Sequence, residues 1–197
     1  MPDALYRSLV WLDYRLAVVS TVIVPLILLV WAFASKADAI QRLMIIYWRV
    51  SSLLAITAYM MIASLPISFI SGAIGCLLIP ISMWFWADLN EEIEDQQSSL
   101  LKWTATAWRW AVTVYCPLGV LLQLPALRCA GLPTQSLIDT PICRVWLEAP
   151  WGYKTWFHPN ASPQFLGFVG IVGLAIYTLY FAYFAIVRLS RQGRSAT

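Results

Sequence analysis

Five continuous apolar runs, separated by short polar stretches, divide the chain at about residues 16–34, 43–63, 67–87, 104–124 and 165–187. Each is long enough to cross about 30 Å of hydrocarbon as a helix. The runs are rich in Leu, Ile, Val, Phe and Ala and do not alternate with polar residues, so they predict helices rather than barrel strands. The expected fold is all-α: a polytopic membrane helix bundle, one integral membrane domain over residues 1–197. Ahead of the first run, Leu5, Tyr6, Leu9 and Leu12 are interleaved with Arg7, Asp13 and Arg15. That pattern predicts a short amino-terminal helix lying in the membrane interface, retained rather than cleaved as a signal. Pro25 lies inside the first span and is expected to bend it. Ser64-Leu65-Pro66 reads as a tight turn joining spans two and three into an antiparallel hairpin. The halves show no repeat of the kind that builds inverted-repeat transporters.

Composition sharpens this picture. With 60% hydrophobic and 12% charged residues, the chain carries about half the charge of an average soluble domain. Its net charge of +3 is dispersed over loops and the carboxyl tail, and no basic block is dense enough to make nucleic acid a partner. Membrane lipid is the expected surround. Five spans place Lys36, Arg42, Arg49, Lys102, Arg109, Arg188, Arg191 and Arg194 on one side, and Arg7, Arg15, Arg128, Arg144 and Lys154 on the other. The first side should be cytoplasmic, with the carboxyl terminus on it; the amino terminus and the loop at 128–163 should be non-cytoplasmic. Trp48, Trp84, Trp86, Trp103, Trp108 and Trp110 fall near one predicted border, as an interfacial aromatic belt would.

Cys129 and Cys143 stand in that non-cytoplasmic loop and are expected to form a disulfide, since an oxidising compartment lets such a pair persist. Closing the loop is worth about 3 kcal/mol in the chain-entropy treatment. Cys76 and Cys116 fall mid-span and read as core residues. The acidic cluster Asp88, Glu91, Glu92, Glu94 and Asp95 follows the third span, but no second cluster completes a metal cage, and no metal is expected. Arg49 lies about two turns into the second span, where an unpaired guanidinium is costly, and an intramembrane ion pair with Asp88 is expected. In the loop, Trp146, Trp151, Tyr153 and Trp156 form an aromatic face available to a partner. Gly167, Gly170 and Gly173 permit close helix approach, and Tyr177 and Tyr180 belong to an aromatic stripe with Tyr183. These are the candidate partner-binding residues; no catalytic residue is identified. His158 is read as a loop residue with ordinary hydrogen bonds. Neither it nor the stripe makes a cofactor certain, though a chlorophyll or carotenoid is the class they leave open.

LVWLDYRLAVV at 9–19, AIQRLMIIYWRVSSLLAITAYM at 39–60, LPISF and IPISMWFWADLNEEI within 65–93, WRWAVTVYC at 108–116 and CRVWLEAPWGYK at 143–154 together resemble an uncharacterised family of cyanobacterial multi-pass membrane proteins. The resemblance covers nearly the whole chain and carries no catalytic motif. It implies the thylakoid or plasma membrane of an oxygenic phototroph, with the Cys-bearing loop in the lumen or periplasm. The expected function is a non-enzymatic accessory or assembly factor binding subunits of a photosynthetic membrane complex, photosystem II or its precursors. The alternative is a small membrane enzyme or transporter acting on a lipid, isoprenoid or ion through the acidic cluster at 88–95.

Overall fold

A computed structural model describes residues 2–189, and the side chains of residues 4–189. Arg191 and Arg194, counted above on the basic side, lie outside the described residues. The helices are α1 (Pro2–Ala17), α2 (Val24–Ala34), α3 (Asp38–Ile62), α4 (Ile67–Trp84), α5 (Ala87–Asp95), α6 (Leu100–Gln123), α7 (Thr134–Asp139), α8 (Pro141–Phe157) and α9 (Pro163–Tyr183). Five helical stretches are long and apolar enough to cross a membrane: 4–34, 38–62, 67–84, 100–131 and 163–188. The chain is thus a multi-pass, all-α helix bundle.

The amino-terminal segment departs from expectation. Instead of turning into the interface, α1 continues through a π-helical stretch, Val18–Ile23, directly into α2. Pro25 explains the local geometry. It has no N–H to give to the carbonyl four residues back, and its ring crowds that carbonyl; a widened turn just before it absorbs both defects. The orphaned acceptor is Thr21 O, and the buried Tyr47 hydroxyl donates to it across the bundle. Trp108 Nε1 donates to the neighbouring Ser20 O at 2.8 Å. Tyr47 and Trp108 meet edge to face with centroids 4.9 Å apart, so one aromatic pair closes the irregular turn. Trp108 is therefore a core residue and not part of an interfacial belt; Trp86 is buried as well, while Trp103 and Trp110 are exposed.

The hairpin at residues 63–66 is as the sequence predicts. Ser64 takes a left-handed backbone conformation (φ 54°), and Ser64 N and Leu65 N donate to Met61 O and Met60 O to close α3. Span three then ends early, at Trp84. Extended backbone at Trp86 separates it from α5, which buries Leu89 and Ile93 against the opening turns of α3 and of α6. The main core, built around Leu28, Leu43, Tyr47, Met83 and Trp108, fills this half of the bundle. A second core, around Val10, Phe69, Cys129, Leu137, Cys143 and Trp146, lies at the other end.

Candidate functional site: a stapled aromatic cap

At residues 128–163, where the sequence suggests a loop, the chain folds into a helical cap. The 3-10 stretch Leu124–Gly131 prolongs α6 and packs against α4, and α8, with α7 packed on it, folds back over the ends of α1 and α3. A helix covering residues 4–34 is about 46 Å long at 1.5 Å per residue. The bilayer core takes about 30 Å of that, so the remainder projects and serves α8 as a wall.

Cys129 and Cys143 form the expected disulfide, with Cα atoms 5.8 Å apart and both residues fully buried. It ties the end of the α6 extension to the first turn of α8. Trp146, expected to face a partner, is buried instead: its Nε1 donates to Tyr6 Oη at 2.8 Å, and its ring packs against Tyr14 at 5.8 Å. Pro150 leaves Trp146 O without its helical donor, and the Tyr14 hydroxyl donates to that oxygen at 2.7 Å. Here a tyrosine again repairs a proline defect, as Tyr47 does for Pro25. Glu148 completes the lock, accepting from Arg7 Nε at 2.9 Å and from Trp11 Nε1 at 3.0 Å.

What α8 leaves outward is its last turns. Trp156 is 86% exposed and Phe157 68%, while Tyr153 stacks on Phe157 with centroids 4.7 Å apart. Trp151 is half-buried against the cap core. Tyr59 Oη and His158 Nε2 are 2.9 Å apart, which pins the end of α8 to α3 and gives His158 the ordinary partner the sequence suggested. Partial burial, helped by the neighbouring Tyr59, raises the Tyr153 phenol above its ordinary pKa, so it stays a neutral donor. The face is thus uncharged, aromatic and held on a fixed helix. It can bury large rings against another protein.

The other predicted residues fall elsewhere. Gly167, Gly170 and Gly173 face α3 of the same chain: a Cβ on Gly170 would come 2.8 Å from Met60 Cγ and 3.1 Å from its backbone N, and one on Gly173 would lie 3.2 Å from Ile56. These glycines are used within the bundle. Tyr177 and Tyr180 line a groove beyond them. The ion pairs among the described residues are Arg7–Glu148 and Arg42–Glu92, rather than the expected Arg49–Asp88. Because the helix breaks after Trp84, α5 turns over the start of α3 and brings Glu92 to Arg42, while Arg49 faces the groove. No group of three or more His, Cys, Asp or Glu side chains suited to hold a metal occurs among the described residues.

Two polar positions inside the bundle were not singled out from sequence. Arg109 is buried with its guanidinium 4.1 Å from the Trp84 ring centroid, donating to Met83 O at 2.8 Å and to Asn90 Oδ1 at 2.6 Å. Met83 O is one of the carbonyls left free where α4 stops, and a cation there also suits the helix dipole. The available signal was the placement of Arg109 between Trp108 and Trp110, opposite the premature end of span three. Asp13, expected at the interface, instead enters the first span, where Tyr115 Oη donates to its Oδ1 at 2.9 Å and Gly119 leaves room for it.

A family model described as "Protein of unknown function (DUF3177)" matches residues 7–197, and the chain belongs to that family. No curated protein and no solved structure matches it significantly.

Proposed function

We propose that this DUF3177 protein is a non-enzymatic accessory or assembly factor that docks on a large membrane complex, photosystem II or its precursors in the thylakoid membrane. The observation that carries the docking role is the exposed Tyr153, Trp156 and Phe157 face on a helix that a disulfide, Glu148 and Tyr14 hold in place. Large rings on a pre-ordered element are what protein interfaces use as anchors, because little side-chain freedom is lost on binding. The photosynthetic setting comes from the resemblance of the sequence to a cyanobacterial family. In this reading the cap and amino terminus face the lumen and the carboxyl terminus the cytoplasm, as the distribution of Lys and Arg favours.

Affinity purification of the tagged protein from thylakoid membranes tests the proposal. Photosystem II subunits should co-purify with the native chain and be lost from a Trp156→Ala/Phe157→Ala variant that still inserts and keeps its disulfide. Recovery of the native chain without any photosynthetic subunit would reject it.

A further inference from the structure

Helix α9 meets α3 through glycines at one end, and at the other its large rings line a groove between the helices. At Gly167, Gly170 and Gly173 helix α9 lies close against Ala63, Met60 and Ile56, but from Tyr177 onward large rings project instead, and the Tyr177 hydroxyl donates to Val50 O at 3.4 Å. A groove of about 290 Å³ opens there between α3, α4 and α9. That is close to the lower limit, about 300 Å³, of ordinary small-ligand cavities. Among the described residues its walls are mostly apolar or aromatic, including Ile46, Leu78, Tyr180 and Phe184, and its charged lining is Arg49 from α3 and Arg188 from the π-helical turn (Phe184–Arg188) that follows α9.

The groove opens onto the surface that lipid must cover, since only 17% of the apolar window of this last span is buried by protein. Arg49 is exposed within it, and neither ion pair of the described residues includes Arg49. A guanidinium on a lipid-facing helix is costly at the bilayer centre, and less so as it reaches toward the border. An anionic headgroup offsets that cost with short, bidentate, charge-assisted hydrogen bonds. A soluble anion matches only the arginines, and a neutral lipid or pigment only the walls. One class of molecule matches both.

We propose that this groove is a binding site for an anionic membrane phospholipid, its phosphate held by Arg49 and Arg188 and one acyl chain lying along Tyr177, Tyr180 and Phe184. Basic pockets between transmembrane helices recognise lipid headgroups in this manner.

Native mass spectrometry of the full-length protein, titrated in detergent with phosphatidylglycerol or with diacylglycerol of identical chains, which lacks the phosphate, reads the site directly. Phosphatidylglycerol should bind about tenfold more tightly. Arg49→Gln/Arg188→Gln should abolish that preference while leaving diacylglycerol binding intact; Arg49→Lys should retain part of it, and Arg42→Gln, outside the groove, all of it. Ala185→Trp, which fills the groove and keeps both arginines, should weaken both lipids. Glycerol phosphate, a headgroup without chains, should not compete. Equal affinity of the native protein for the two lipids overturns the proposal without any variant being needed. So does undiminished preference in the double variant, or displacement by glycerol phosphate, which would assign the arginines to a soluble anion.

Discussion

The two ends of the bundle solve the same problem in opposite ways. At the cap, projecting pieces of α1, α6 and α8 enclose their own core, and beside the partly exposed Arg7–Glu148 pair the devices are covalent or buried: the Cys129–Cys143 bond, the Trp146 indole and the Tyr14 hydroxyl. At the groove end, α5 is held partly by an exposed pair, Arg42–Glu92, and a groove opens between α3, α4 and α9. The cap is built to present a fixed surface; the groove end is built open. Small residues let α9 lie close against α3 toward the cap, and large rings line the groove at the other end.

The contrast can be broken from the cap side most severely. Replacing both Cys129 and Cys143 by Ser should cost about 3 kcal/mol of stability, measured by thermal or denaturant unfolding in detergent, and should expose the α8 region to protease first. Gly170→Val comes next. Its side chain has the backbone of Met60 in its way, and overpacking of about 2 kcal/mol should appear as release of α9, seen as a lost crosslink between cysteines introduced on α3 and α9. Tyr14→Phe and Tyr47→Phe leave a proline-orphaned carbonyl buried without its donor, and each should cost about 1–3 kcal/mol. A Tyr14→Phe/Pro150→Ala pair should recover part of the loss, because residue 150 then supplies the missing N–H; absence of recovery would argue against the repair role. At the groove end, Arg42→Gln should cost less than about 1 kcal/mol, since both partners are partly exposed.

How much of this was legible in the sequence follows from what hydropathy encodes. Span number, the tight turn at Ser64 and the pairing of Cys129 with Cys143 depend on composition, local turn chemistry and compartment, and all three are read along the chain. The cap was not legible, because residues 128–163 are too polar to cross lipid and their helices form only against the projecting parts of α1 and α6. Trp146 and Trp151 looked alike in sequence; α8 periodicity puts one inside and leaves the other half-buried. The Arg49–Asp88 expectation assumed that span three continued straight, and the break at Trp86 redirected the acidic helix to Arg42. Likewise the three glycines signalled a close helix contact correctly, without saying that the contacted helix was α3 of the same chain.

The most direct test of the account is the side of the membrane on which the aromatic cap stands. Single cysteines introduced at Trp156 and at Glu91, both exposed, in a background where Cys76 and Cys116 are Ala, report it with a membrane-impermeant maleimide on sealed thylakoid vesicles of known sidedness. The account predicts that the cysteine at 156 reacts only from the lumenal side and the one at 91 only from the cytoplasmic side. Labelling of position 156 from the cytoplasmic side would contradict it.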